Sequence, residues 1–230
     1  MIPLKDDNPT SIQPIVTLSV IGFCILVFLW QLSRGPQGGQ AAIYALGFIP
    51  AVVFGGAELP AQLAWVPPPV TIFTSMFLHG GWLHLAGNML YLWIFADNVE
   101  DSMGHGRFVV FYAVCGVAAA LAQAAPEIGS EIPMIGASGA VSGVLGAYVL
   151  LYPRARILVV VPLLVVLYTM RLPAIVVLGI WFALQLLNSL AAPAAGGGVA
   201  FRAHLGGFIA GVLLIRLFAV PRPTRKGSRW

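Results

Sequence analysis

Charge is what this chain has least of. Only 9% of its 230 residues are Asp, Glu, Lys or Arg, whereas 59% are hydrophobic and the mean hydropathy is +0.92. A composition so poor in charge excludes both a water-soluble enzyme of this length and a disordered segment. Cysteine is almost as scarce. Cys24 and Cys115 both lie inside apolar blocks, which excludes a disulfide framework and any paired-cysteine metal spacing, and leaves them as small core residues. Basic runs interleaved with aromatics are also missing, so the net charge of +4 does not indicate a nucleic-acid partner.

What the chain does have is long apolar runs. About six blocks occur, several of them ~18 residues or more without a charge, the length that crosses ~30 Å of hydrocarbon as helix. The expected fold is therefore an all-α polytopic membrane protein with six transmembrane helices. The spans fall at Ile15 to Leu32, Leu83 to Ala96, Phe108 to Ala125, Ser138 to Tyr152, Leu172 to Ala192 and Ala203 to Val220. Residues 1–14 form a polar leader with Lys5, Asp6 and Asp7, the membrane domain occupies 15–220, and 221–230 is a basic tail. The first block lacks the short apolar core and small-residue cleavage site of a signal peptide, so it is read as part of the mature protein.

A long connector, Ser33 to Pro69, follows the first span. Its apolar stretch Ala41 to Phe54 is too short and too interrupted to cross a membrane and is expected as an interfacial or partly buried loop. The Val-rich patch Ile157 to Leu167, broken by Pro162, is assigned to a connector or to the edge of the fifth helix.

Six spans place both termini on one side. If that side is the cytoplasm, Lys5, Arg107, Arg154, Arg156, Arg171 and Arg216 lie inside with the basic tail, and only Arg34 and Arg202 lie outside. This is the asymmetry of the positive-inside rule. The tail then serves topology, with anionic lipid as its alternative partner. The protein is accordingly expected to be multi-pass in a bacterial plasma membrane, with both termini cytoplasmic.

Polar side chains inside apolar spans are costly, and few are present. His84 and Asn88 open the second span four residues apart on one face. Ser138 opens the fourth within Gly136-Ala137-Ser138-Gly139, and His204 opens the sixth. Even-numbered spans run in the same direction, so these four groups converge on one layer near the external side. From Ser138 to Pro153 is ~22 Å of helix at ~1.5 Å per residue, which sets Ser138 several Å below the boundary of a ~30 Å core. The preceding stretch, Gly129 to Ala137, must reach that depth as non-helical backbone. Such backbone is tolerated only when buried in protein or lining a water-filled cavity.

A serine hydroxyl at that depth becomes a nucleophile only if a base takes its proton, and His204 is the candidate base. All eight acidic residues lie at span ends or in connectors, which leaves a Ser-His dyad rather than a triad. The donors available to an oxyanion are the Asn88 amide, the His84 ring and the Ser138 backbone N–H. Taken singly, each of these residues reads as well as helix-packing glue. Trp181 and Gln185, one turn apart on the fifth span, are open between gate residues and simple packing.

The string from His79 through Gly80, Gly81, Trp82, Leu83 and His84 to Asn88, then Gly136-Ala137-Ser138-Gly139, then Ala203-His204 with Gly207 and Gly211, resembles the rhomboid family of intramembrane serine proteases over roughly Val70 to Phe218. The resemblance implies Ser138 as nucleophile, His204 as general base, and His84 and Asn88 as oxyanion stabilisers, with no metal or cofactor. It further implies single-span or polytopic membrane proteins as substrates, which enter past the second and fifth helices under a loop, here Ala192 to Ala200. Two departures stand out. The Trp-Arg pair of the first external loop is absent, Trp65 being followed by Val66, and the position four after the serine, aromatic in some members, is Ser142. An inactive relative that binds or escorts membrane proteins is the alternative. A transporter is disfavoured, since neither midplane charges nor an inverted repeat is found.

Overall fold

The computed structural model describes residues 1–163, 166–191 and 199–220. Strand β1 (Ile2–Asp6) leads into helix α1 (Ile15–Ser33) and then α2 (Gly35–Leu46). Two single turns follow, α3 (Pro50–Val53) and α4 (Thr71–Thr74), before α5 (Trp82–Met103), α6 (His105–Ala124) and α7 (Ser138–Leu151). Strands β2 (Arg156–Leu163) and β3 (Val166–Pro173) then precede α8 (Ala174–Ala191) and α9 (Phe201–Phe218).

Four of these helices, α1, α6, α8 and α9, are long and apolar enough to cross a membrane. Helix α5 is longer but carries Asp97, Glu100 and Asp101 in its last two turns. Helix α7 has 14 residues, about 21 Å of helix, and is short of a full ~30 Å crossing. The outer surfaces are apolar: Leu83, Leu190 and Leu217 are more than three-quarters exposed, as lipid-facing side chains would be.

Helix α7 is the hub. Ten of its residues, Gly139 to Tyr148 without a break, are buried. It touches α9 backbone to backbone: a Cβ added at Gly207 would fall on the Gly139 carbonyl oxygen, and one added at Gly211 on that of Gly143. Small residues on both helices permit that approach.

The all-α expectation is corrected by a three-stranded antiparallel sheet in the order β1-β2-β3. The Val-rich patch is neither connector nor helix edge. Its β-branched residues pair as strand, Val159 opposite Met170 and Ile157 opposite Leu172, and bury Ile157 and Val159. The polar leader supplies the third strand, with Ile2 opposite Val160 and Asp6 opposite Ile157. The fifth apolar block consequently starts as helix at Ala174, because Leu172 and Pro173 belong to β3. The Ala41 to Phe54 stretch is corrected too, since α2 runs through Leu46 and Pro50–Val53 forms one further turn. The basic tail at 221–230 and most of the Ala192 to Ala200 loop lie outside the described residues.

Non-helical backbone precedes Ser138, and several of its hydrogen bonds go to the connector and to the turn around Ser75. Phe48 and Met134 exchange both amide bonds at 3.0 and 2.8 Å, Ala51 N–H donates to Ser130 O, and Gly136 N–H donates to Ser75 O at 2.9 Å. The connector after α1 thereby satisfies a strand-like segment that lipid could not.

At the opposite end, α1 begins after Pro14 with no side-chain cap of its own. The fully buried Glu100 carboxylate supplies one. It accepts Val16 N–H at 2.9 Å, Thr17 N–H at 2.8 Å and Thr17 Oγ1–H at 2.6 Å, and it contacts His105 Nδ1 at 2.6 Å. An anion placed on the orphan N–H groups of a helix start is favoured by both hydrogen bonding and the helix dipole. Gly104, at φ +80°, lets α5 end and α6 begin within one residue.

Candidate active site

Ser138 is the first residue of α7, half-buried at the point where the extended segment turns into helix. His204 sits in the first turn of α9 and is 8% exposed. The close approach of α7 and α9 puts His204 Nε2 2.8 Å from Ser138 Oγ, hydrogen-bond reach between a base and its nucleophile.

Helix α5 contributes His84 and Asn88 from one face. Asn88 is buried, and its Nδ2 has no partner among the described residues. A buried amide left with a free donor is uncommon unless a ligand uses it. Gly136, at φ +116°, runs so close beneath that a Cβ there would stand 2.7 Å from the His84 ring and 3.7 Å from Asn88 Nδ2. Only glycine both adopts this backbone and leaves the two side chains room. His84, Asn88, Ser138 and His204 all line one cavity of about 920 Å³. The structure thus brings together all four residues singled out from the sequence.

Four further residues support this layer. Gln31 of α1 brackets the backbone of His79, accepting its N–H at 3.0 Å and donating to its carbonyl at 3.3 Å. The buried His79 ring in turn meets the His84 ring edge to face at 5.2 Å between centroids. On α8, Trp181 faces His204 at 5.9 Å and Gln185 Oε1 lies 2.7 Å from His204 Nδ1. Ser142, where some rhomboids have an aromatic residue, instead donates to the Ser138 carbonyl of its own helix at 2.6 Å. The ring beside the histidine here comes from α8.

A family model described as the Rhomboid domain matches residues 68–220, about two thirds of the chain and the part that holds every one of the four cavity residues. The chain belongs to the rhomboid family. It is 34% identical over 191 residues to Rhomboid protein 1, mitochondrial, of Saccharomyces cerevisiae, an alignment that covers 74% of this chain and 51% of that protein. It is 31% identical over 229 residues to Rhomboid protease GluP of Bacillus subtilis, covering 98% of this chain and 38% of that protein. RHOMBOID-like protein 5 of Arabidopsis thaliana is 34% identical over 76 residues, 33% of this chain and 25% of its own length. The chain therefore spans about half or less of the length of these relatives. Family membership and the apolar helices together make this rhomboid an integral membrane protein.

Proposed function

We propose that this rhomboid is an intramembrane serine endopeptidase that hydrolyses peptide bonds in or near the transmembrane helices of single-span or polytopic membrane proteins. The observation that carries the reading is the 2.8 Å contact between Ser138 Oγ and His204 Nε2 inside a cavity also lined by two candidate oxyanion donors. A relative that bears the name of a protease supports it.

In this reading His204 Nε2 takes the hydroxyl proton as Ser138 Oγ bonds to the scissile carbonyl carbon. The resulting oxyanion is held by Asn88 Nδ2 and the His84 ring. His204 then passes the proton to the leaving amine nitrogen, the C–N bond breaks, and an acyl ester remains on Ser138. Water, deprotonated by His204, attacks that ester, and the proton returns to Ser138 Oγ as the new carboxyl terminus leaves. Stabilisation of the developing oxyanion by fixed donors supplies a large share of such catalysis.

The membrane arrangement is part of the proposal. Six helices, α1 and α5 to α9, cross the bilayer, the sheet and both termini lie in the cytoplasm, and the cavity opens to the external side. Lys5, Arg107, Arg154, Arg156, Arg171 and Arg216 then share the cytoplasmic face.

The test is labelling of the purified protein by a serine-directed fluorophosphonate, together with cleavage of a single-span substrate in proteoliposomes. Both are expected for the wild type, and neither for Ser138→Ala or His204→Ala. Cleavage that persists in purified Ser138→Ala ends the protease reading. Absence of both in a folded wild type favours a rhomboid that binds membrane proteins without cutting them.

A further inference from the structure

Helix α8 buries a single stripe. Ala174, Val177 and Leu178 are buried, and Trp181, Phe182 and Gln185 continue the same face half-buried, while the residues between them are mostly exposed. Phe182 closes on Phe208 of α9 at 4.7 Å between ring centroids. A glutamine at the end of an apolar packing stripe needs a partner, because an unsatisfied amide in that setting is costly. Its partner is His204 Nδ1, at 2.7 Å from Gln185 Oε1.

The chemistry of this contact is one-directional. A carbonyl oxygen only accepts, so the imidazole proton resides on Nδ1 and is donated to Gln185. Nε2 is left with its lone pair free, and that nitrogen faces the Ser138 hydroxyl at 2.8 Å. The opposite tautomer would set the Nδ1 lone pair against the Gln185 carbonyl oxygen, acceptor against acceptor, and its protonated Nε2 could not accept the serine proton. The two hydrogen bonds thus select one protonation pattern between them, and it is the one a general base requires.

From this geometry we infer that Gln185 is a positioning residue which, as the neutral third member of a line from α8 through α9 to α7, fixes the tautomer and ring orientation of His204. It acts through the histidine: Trp181 and His204 line the cavity, whereas Gln185 is not among its lining residues. Trp181, one turn earlier, faces the same ring from the same helix and restrains its plane. The base is therefore complete only while α8 is packed against α9. This inference rests on the protease reading above, and its test separates the two.

The experiment compares wild type, Gln185→Leu and Gln185→Glu in proteoliposomes with a single-span substrate, and follows the ¹⁵N resonances of His204 in each protein. Gln185→Leu is expected to lower kcat on the order of 10²-fold with KM nearly unchanged, the cost of a misplaced base. Its His204 resonances should show loss of the Nδ1-protonated pattern. Gln185→Glu should retain activity at alkaline pH and move the acid limb of the rate profile to higher pH, because a carboxylate partner favours the imidazolium. His84, Tyr91, Glu127 and Arg202, the other titratable and charged side chains lining the same cavity, are unchanged in all three proteins. A role limited to holding α8 against α9 would lower thermal stability and leave both the tautomer and the acid limb where they are, and that result overturns the inference. Wild-type kcat in Gln185→Leu overturns it as well. If the wild type itself neither cleaves nor labels, the protease reading fails, and the His204 resonances alone decide whether Gln185 sets the tautomer.

Discussion

Gly207 of α9 rests directly against the backbone carbonyl of Gly139 in α7, one residue beyond Ser138 and three beyond His204. This contact sets the distance between the two helices and so the 2.8 Å spacing of Ser138 Oγ and His204 Nε2. Gly207→Leu should insert normally yet lose activity by ~10²-fold or more, since displacement by ~1 Å is enough for that. Cleavage rate normalised to folded protein is the measurement. A near-normal rate would show that the contact does not govern the spacing.

Asn88→Ala removes a buried amide whose Nδ2 has no partner among the described residues. The folded state loses little, while a developing oxyanion loses a donor. The expected outcome is a fall in kcat of ~10²-fold or more with a small change in thermal stability. A rate equal to that of the wild type would assign Asn88 to packing.

Glu100→Ala should do the reverse. It strips two backbone N–H groups and the Thr17 hydroxyl of their acceptor at the start of α1, and each buried donor left unpaired costs about 1–3 kcal/mol. Thermal unfolding in detergent should shift down by several degrees, while the fraction still folded cleaves at the wild-type rate because the site lies at the other end of α5. A loss of rate without a loss of stability would contradict this division.

Burial raises the Asp6 carboxyl above its ordinary pKa of 3.8, against the opposing effect of the Tyr148 hydroxyl donated to it at 2.6 Å. A group raised by folding favours the folded state at pH below its unfolded value, and that contribution is lost as pH climbs through the folded value. Asp6→Asn keeps an acceptor for Tyr148 and removes the half-buried charge. It should therefore unfold at a higher temperature than the wild type at neutral pH, with the advantage shrinking as pH falls toward 4. Melting curves across that range test it, and a lower melting temperature at pH 7 would refute it.

Substrate choice follows from backbone accessibility. A peptide bond in an intact helix is protected by its own hydrogen bonds, so substrates with Gly or Pro in their span should be cut faster than Leu-rich variants. Equal rates for the two, at matched insertion, would count against this.

The apolar runs located the long helices to within a few residues, except at the end of the second block, where the helix continues past Ala96 to Met103 through its charged last two turns. The four cavity residues were legible for a related reason: a polar group in an apolar run is conspicuous, and the common direction of alternate spans sets them at one depth. The sheet was hidden because Ile157 to Leu163 is as apolar as a helix, and period alone does not separate a short buried strand from a helix segment. Pairing with Ile2–Asp6 across some 150 residues has no local signature at all. Helix α2 was masked by its glycines and Pro36, which read as loop punctuation. Gln185 was visible as a polar residue but stayed ambiguous, because its meaning depends on a ring contributed by another helix.

Gln185, His204 and Ser138 are joined by two short hydrogen bonds, and an amide, not a carboxylate, stands at the end of the line. A permanent anion there would have to be sustained between helices that face lipid, at a desolvation cost of several kcal/mol. With an amide, the proposed mechanism needs ions only as a transient pair, imidazolium with oxyanion, created in one proton transfer and annihilated in the next. Net neutrality throughout the cycle makes the chemistry compatible with a low-dielectric surrounding, and relieves the resting protein of holding an unmatched charge at membrane depth.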